Sequence, residues 1–452
     1  MTRGGSFAVR PAPEEGAGVL PNGTKGKERI FIELRVYAKY FFYLYTIEDF
    51  TELTIDRYNL GVSQLRLSVD RRSPSACFLQ LGNWLQRAGV HEFYAIQQLE
   101  VDNDIVTVTA CSPHFFAGKY LIKPDGSGQK SLSLEEGSST EDGSSNEEGS
   151  SKEDGSSKEE RKVTGSYDQA VKDWFNSSGI NMTTAPARPS GEGGDVTLSA
   201  DCYSNLAAAM EEVLAPRLMG VRYTFNEQLG GFVFDTVEPV DRTSQNGAPS
   251  QSAAGTAPAI FSVQYDNLRS LRYSADDLER VTNVYARSGS GSSSSSVTQY
   301  GEDTYGYDRR EAYINLSDED IVQQRVDDAM KKTDISFTAQ IYEDENLVYG
   351  VDYDIGDIVT AWLELPSLQY VEDSQGRRFY DPVLTWQKVD QQITCITEHY
   401  SNSAAGAGRE LDITFGKPEK TLPEQLKVAE KKQKQQNDEL WKKLRKYETP
   451  LG

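Results

Sequence analysis

The chain has 452 residues, of which 47 are basic and 69 are acidic, so its formal net charge at pH 7 is −22. A negative field of this size repels nucleic acid and anionic membrane surfaces, and both classes of partner are therefore disfavoured. Hydrophobic residues make up 37% of the chain, which permits packed cores, and the length allows about three domains.

The residue types that bind metals and form disulfides are few and scattered. The four cysteines have no close neighbours among themselves, so we expect them to be reduced and buried, and we expect neither a metal site nor a cofactor. The longest apolar patch, Val36 to Ile47, contains Lys39 and is too short to span a bilayer. We therefore expect a soluble protein that is made in a cytoplasm. The four cysteines are Cys77, Cys111, Cys202 and Cys395, and the three histidines are His91, His114 and His399.

The N-terminal part of the chain predicts a flexible arm over 1–28 and a first β-barrel-like domain over 29–122. Apolar residues alternate with other residues from Ile30 to Val36, which is the period of a half-buried strand. The pattern Phe93–Val101, a turn of Asp and Asn residues, and Ile105–Ala110 predicts a hairpin, because β-branched residues favour strands and Asp and Asn favour turns.

An acidic linker is predicted over 123–164. Four copies of a six-residue repeat, GSSTED, GSSNEE, GSSKED and GSSKEE, run from Gly137 to Glu160 and contain no apolar residue. Without apolar residues, such a segment gains no burial energy that could offset the entropy cost of ordering. This composition is typical of a solvated tether. The alternative of a calcium site is weaker, because the ligand spacing of an EF-hand loop is missing.

The segment 165–334 is predicted to be an α+β middle domain. Ser166 with Gln169 forms a capping box for a helix that ends at Gly179, and a second helix is predicted from Ser204 to Pro216. A hairpin follows over 221–237. The stretch from Ala259 to Asp320, with a strand from Ile260 to Tyr265 and a serine-rich tip, is expected to tie together the β-rich units on either side.

The C-terminal part predicts a second β-barrel-like domain over 335–416 and a helix over 417–452. Alternation recurs at Ile335, Phe337, Ala339 and Ile341, and the tail from Thr421 shows a thin apolar stripe with helical spacing. The predicted fold class is thus α+β and mainly β, with two small β-barrel-like domains joined by an α+β insertion.

Two charged clusters are candidates for function. Asp308, Arg309, Arg310 and Glu311 could bind an anion through the arginines, but such a group is more often an internal or intersubunit ion pair. The group Asp352, Asp354 and Asp357 could hold a hard cation, but a charged turn that leads into a strand is the more common structure. No set of nucleophile, base and metal ligands can be assembled, and we predict no catalytic residue and no metal ligand.

An ordered set of short motifs carries a family resemblance over roughly 30–416. The set comprises Val106–Ser112, Ser204–Leu206, Val221–Tyr223, Phe232–Asp235, Asp241–Thr243, Phe261–Ser262, Asn283–Ala286, Gly306–Glu311, Gly356–Thr360 and Ile413–Gly416. In order and spacing it resembles the siphovirus and prophage tail proteins of the gene-product-thirty-seven-like type.

The resemblance implies a structural tail-tip or baseplate hub protein of a long-tailed bacteriophage or a prophage-derived particle, and not an enzyme. It implies a homotrimer, assembled in the host bacterial cytoplasm, that caps the tail tube in the virion. The implied partners are the tail tube or distal tail protein and the tip or fibre proteins, with the tape measure protein as a further partner. Two alternatives stay open: a receptor- or glycan-binding tail protein, since the chain has 24 tyrosines, and a tail-associated hydrolase.

Overall fold

In the residues that it describes, the computed structural model is dominated by β-strands, with four short α-helices, so the predicted α+β, mainly β class is confirmed. The structure describes residues 32–124, 160–189, 195–245, 248–250, 255–288, 296–301, 306–316, 322–341, 347–372, 375, 378–403 and 406–416. The predicted arm, most of the acidic repeat, the tip of the serine-rich loop and the C-terminal helix lie outside these residues.

The first β unit is built from seven strands and one helical turn. The predicted hairpin is confirmed: β6 and β7 pair antiparallel with Asp102 opposite Ile105, and Asn103 in the turn has a φ of 49°. The elements are β1 Leu34–Tyr37, β2 Tyr43–Ile47, β3 Phe50–Tyr58, β4 Gln64–Asp70, β5 Trp84–Arg87, β6 Phe93–Asp102, β7 Ile105–Cys111 and α1 His114–Ala117.

The α+β unit packs two helices against short sheets. Ser166 Oγ accepts a hydrogen bond from the Gln169 amide at 3.0 Å, and Gly179 ends the helix with a φ of 78°, which confirms both predicted caps. The second helix is capped by Asn205, one residue after the predicted start. The elements are β8 Glu160–Gly165, α2 Tyr167–Ser178, β9 Thr183–Thr184, β10 Val196–Asp201, α3 Leu206–Leu214, β11 Gly220–Asn226 and β12 Gly231–Val237.

The second β unit begins before the predicted boundary at residue 335. β16 and β17 precede that boundary, yet Phe261 and Leu268 lie in the same buried core as Phe337 and Phe415. The elements are β13 Asp241–Arg242, β14 Ser244–Gln245, β15 Ala248–Pro249, β16 Ile260–Ser262, β17 Leu268–Asp276, β18 Asn283–Ser288, β19 Ser296–Gly301, β20 Glu311–Leu316, α4 Val322–Ala329, β21 Asp334–Ile341, β22 Ile358–Glu372, β23 Arg378–Ser403 and β24 Gly406–Phe415.

One large sheet runs through both β units. Its strand order is β17-β21-β24-β23-β3-β4-β7-β6-β5-β1-β2, with β22 paired to β23, so the path through the described strands is open rather than a closed ring. The two units meet where β23 pairs antiparallel with β3, from Cys395 opposite Tyr58 to Ser401 opposite Glu52. Backbone hydrogen bonds therefore connect the start of the described chain directly to its end.

This pairing corrects the expectation that the stretch 259–320 ties the β units together. β16 and β17 belong to the second β unit, and its predicted strand stops at Ser262, where a 3-10 turn over Val263–Tyr265 begins. β18, β19 and β20 form a separate three-stranded sheet with its own small core around Val284 and Val326. The connection between the two β units is made by β3 and β23 instead.

Two other expectations are corrected. Glu160–Gly165, at the end of the predicted linker, form β8, which pairs antiparallel with β10. Cys111 and Cys395 are buried, as predicted, whereas Cys77 is exposed and Cys202 is only partly buried. None of the helices in the described part of the chain combines the length and the apolarity needed to cross a membrane.

Candidate functional site at the junction of the three units

A buried carboxylate lies at the seam between the two β units. Glu398 of β23 is 0% exposed and forms ion pairs with Nη1 of Arg57 at 3.1 Å, Nη1 of Arg87 at 3.0 Å and Nη2 of Arg409 at 3.1 Å. Arg57 and Arg87 lie on β3 and β5 of the first β unit, whereas Arg409 lies on β24 of the second. We call these four residues the ionic seam, because they join strands of both units.

The ionic seam keeps its carboxylate charged. Burial favours the neutral acid, but the charges of the three arginines and a hydrogen bond from Tyr400 hold the pKa of Glu398 below its ordinary value. Arg57 also pairs with Glu92 at 2.9 Å and donates to the Tyr349 hydroxyl at 2.6 Å. Removal of any one of these partners would leave buried charge without compensation, which costs free energy. The ion pairs therefore favour a single arrangement of the strands that carry them.

A second contact point joins all three units at Asn59, which directly follows β3. Its backbone N–H donates to the backbone carbonyl of Thr394 at 3.0 Å, and its backbone carbonyl accepts from the backbone N–H of Val221 at 3.0 Å. Cβ atoms placed on Gly220 and Gly356 would lie 1.9 Å and 2.8 Å from Asn59 Oδ1, so only glycine fits at either position.

Buried side chains strengthen the same junction. Gln392 of β23 is 5% exposed, and its Nε2 donates to the carbonyls of Gly356, at 2.8 Å, and Leu218. A small cavity of about 80 Å³ with both polar and apolar walls lies alongside, lined by Asn59, Arg57 and His114 among others. The space admits a few waters and no substrate of ordinary size, which indicates a structural role for the cavity.

His114 is the one histidine that the junction buries. Its Nδ1 lies 2.9 Å from the Tyr223 hydroxyl, and this contact bridges α1 of the first β unit and β11 of the α+β unit. Burial lowers the pKa of His114 to about 4, so the imidazole is neutral at pH 7.

An aromatic cluster also joins the first β unit to the α+β unit. Phe41, in the β1–β2 turn, has a φ of 64°, which is unusual for a residue with a side chain. Its ring lies 4.5 Å from that of Phe225, 5.4 Å from Phe232 and 5.2 Å from Trp84, measured between ring centroids. The neighbouring Tyr40 points to solvent and is 75% exposed.

The four residues predicted as an ion-pair cluster do not form a single group. Arg309 Nε pairs with Glu311 at 2.6 Å, and Arg310 Nη2 pairs with Asp277 at 2.9 Å, whereas Asp308 is exposed in the turn Gly306–Asp308. Arg309 and Arg310 thus each form an ion pair, and the partner of Arg310, Asp277, lies outside the predicted set. A contact with another subunit through these residues stays a prediction.

The second predicted cluster has the structure of a charged turn. Asp357 is buried and pairs with Arg242 at 2.7 Å, Asp354 lies 3.6 Å from Arg222, and Asp352 accepts a hydrogen bond from the Val348 amide at 2.7 Å. Each carboxylate thus has its own partner. Across the described ranges no group of three or more His, Cys, Asp or Glu residues is placed to hold a metal ion.

The comparison with protein families supplies the assignment. The model of the siphovirus ReqiPepy6 Gp37-like proteins matches residues 161–417, which is more than half of the chain. The chain belongs to the siphovirus Gp37-like family. The predicted resemblance to this family of siphovirus and prophage tail proteins is thereby confirmed. No curated protein matches its sequence.

Three solved structures are similar to the Gp37-like chain. Prophage tail protein gp18 from Listeria monocytogenes EGD-e is 12% identical, with 88% of this chain and 99% of that chain covered and a TM-score of 0.48. The tail protein from Neisseria meningitidis MC58 is 9% identical, with 85% and 96% covered and a TM-score of 0.47. The 43 kDa tail protein of prophage MuSo2 from Shewanella oneidensis is 12% identical, with 85% and 98% covered and a TM-score of 0.45.

Most of the junction residues of this Gp37-like protein were not predicted from the sequence, although Gly356 stands in one of the motifs of the family resemblance. Asn59 sits in no motif, and the arginines of the ionic seam are separated along the chain from Glu398. The burial of Glu398 could have been predicted from the sequence pattern. It lies between Ile396 and Tyr400, at a position of β23 where alternation predicts a buried side chain.

Proposed function

We propose that this protein is the hub of a phage tail tip or baseplate, a homotrimer that caps the tail tube and connects it to tip or fibre proteins. The observation that carries the proposal is the ionic seam, which locks the two ends of the described chain into one sheet in a member of a siphovirus tail family. A connector has to transmit force between partners without changing its own shape.

The surface of the first β unit supports a role in assembly. Tyr40 is 75% exposed and Phe42 is 57% exposed at the β1–β2 turn, beside the partly exposed Tyr43 and Leu44. Exposed aromatic residues that stand together are typical of the centres of protein–protein interfaces. We assign this turn to contact with a neighbouring tail component.

The proposed partners are the tail tube or distal tail protein on one side and the tip or fibre proteins on the other, with the tape measure protein as a further partner. The proposed place of action is the virion, after assembly in the bacterial cytoplasm. The protein is proposed to act without catalysis: the charged groups of the junction are engaged with one another, and the cavity beside them holds only about 80 Å³.

Size-exclusion chromatography with light scattering tests the oligomeric state of the purified protein. The proposal predicts three times the chain mass of 50.3 kDa, and a trimer fraction that grows with protein concentration. A monomer at all concentrations, both alone and after addition of purified tail tubes, would contradict the hub assignment.

A further inference from the structure

A cleft in the α+β unit lies apart from the junction and has no role in the proposed function. It has a volume of about 470 Å³ and lies between β10 and helix α3. One face of the helix borders it through Asn205, Ala208, Ala209 and Glu212, while the apolar residues of the opposite face are buried in the core. Alanine at the two central positions leaves room for a chain to lie along the helix.

The strand β10 forms the other wall of the cleft. Five consecutive residues, Thr197 to Asp201, border the cleft, although successive side chains of a strand point to opposite faces. A ligand can touch all of them only by running along the strand edge. The other edge of β10 is taken by β8, and within the described residues the two-stranded sheet has no third strand.

Such an edge carries backbone donors and acceptors that are ready to pair. In an antiparallel pair, half of the N–H and C=O groups of each strand point away from the partner. For Thr197 to Ala200, the backbone hydrogen bonds among described residues are those of the β8–β10 pairing. An added strand would bond to the remaining groups, which is how proteins bind extended peptides at sheet edges.

Two buried polar groups of the cleft wall lack partners. Trp174 is 1% exposed and lines the cleft, yet its indole Nε1 has no hydrogen-bond acceptor within the described part of the chain, and the same holds for Ser204 Oγ. A buried Trp N–H normally finds an acceptor. Carbonyl oxygens of a bound backbone are acceptors of the required kind.

The charges around the cleft select the kind of peptide. Glu160, Asp201 and Glu212 contribute carboxylates, against the guanidinium groups of Arg217 and Arg325. The Arg217 guanidinium already lies 3.6 Å from the ring centroid of Tyr167 and donates to the Val213 carbonyl at 2.6 Å. The acidic surplus favours a basic ligand, as does the net charge of −22.

We propose that this cleft binds an extended, basic peptide strand of another protein, which adds to the outer edge of β10. The proposal is independent of the hub assignment, since a tail protein at any position in the particle could hold a partner in this way. It assigns to the α+β unit a docking role that is separate from the structural role of the junction.

The test uses the full-length protein and a fluorescently labelled, capped pentapeptide, Lys-Val-Thr-Val-Lys. Fluorescence anisotropy is expected to show saturable binding that weakens by roughly tenfold or more in the variant Ala208→Tyr, whose ring fills the cleft. The matched control Glu211→Tyr places the same ring on an exposed position of α3 outside the cleft, and is expected to bind like the unchanged protein.

Two further peptides test the mode of binding. The sequence Glu-Val-Thr-Val-Glu reverses the charge, and Lys-Val-Pro-Val-Lys removes one backbone N–H, so both are expected to bind at least about tenfold more weakly. Hydrogen–deuterium exchange is expected to show that the lysine peptide slows exchange in Val196–Asp201 and leaves β4 unaffected.

Several results would overturn the proposal. These are the absence of saturable binding, equal binding by the Ala208→Tyr variant or by the acidic peptide, and protection outside β10. Protection, without peptide, of those β10 amides that do not bond to β8 would also overturn it. If this protection grows with protein concentration, the occupant is a second copy, and if it does not, the occupant is another segment of the same chain.

Discussion

The carboxylate of Glu398 on β23 lies 3.1 Å from Nη1 of Arg57 on β3, across the boundary between the two β units. The same two strands are joined by an antiparallel backbone ladder. Side chains and backbone therefore fix one register between the first and the last parts of the described chain.

Replacement of Glu398 by glutamine is expected to destabilise the fold by about 3–5 kcal/mol, because the buried Arg57 and the partly buried Arg87 and Arg409 would lose a shared, fully buried counter-charge. Urea denaturation measures the loss. The control Glu33→Gln removes a more exposed ion pair with Arg35 and is expected to cost less than about 1 kcal/mol. Equal effects of the two substitutions would show that the ionic seam does not hold the units together.

Substitution of Gly220 by alanine is expected to cost about 1–3 kcal/mol, since the new Cβ would lie 1.9 Å from Asn59 Oδ1. Gly231→Ala serves as the control, because no atom lies within 4 Å of a Cβ at that position. The double variant Gly220→Ala with Asn59→Ala is expected to lose less stability than the sum of its single changes. Additive losses in thermal unfolding would argue against a direct contact.

The buried His114 predicts a loss of stability in mild acid. Its pKa in the folded protein is about 4, against 6.5 for the free side chain, so the unfolded chain binds the proton more readily. Stability therefore falls as the pH falls from 6.5 towards 4, by about 2 kcal/mol between pH 7 and pH 5. Urea midpoints of the His114→Gln variant should fall less over that range, whereas those of His91→Gln should follow the unchanged protein.

Two adjacent aromatic residues are expected to differ in role. Phe41→Ala removes the ring that packs against Phe225, Phe232 and Trp84, and should cost about 2 kcal/mol. Tyr40→Ala changes an exposed side chain, so the free energy of unfolding should move by no more than about 0.5 kcal/mol. Tyr40→Ala should instead weaken assembly with other tail components, measured by sedimentation. Normal assembly would remove the β1–β2 turn from the interface.

Local sequence signals were sufficient to predict helix ends and hairpin turns, whose contacts lie within a few residues along the chain. The cap at Ser166, the stop at Gly179 and the hairpin across Asn103 are specified by residues a few positions apart. The turn and helix chemistry of such residues acts within one or two turns of the chain, so it can be recognised without knowledge of the fold.

The connections between the units could not be predicted in the same way. The pairing of β3 with β23 joins residues that are far apart in the sequence. The sequence of neither strand indicates which strand it pairs with. β8 and β10 have six residues each, and most of their exposed side chains are polar. A short strand of this kind is hard to distinguish from a loop by its sequence pattern. Arg310 was assigned to a local cluster, although its partner is Asp277.

We propose that the protein forms the stiff, threefold end of a phage tail. Cryo-electron microscopy of intact particles that carry a tag on this chain shows where the protein lies and in how many copies. We expect three copies around the tail axis at the distal end of the tube, each with β3 and β23 paired as described. Absence of the chain from purified particles, or its presence only away from the tail tip, would rule out this position.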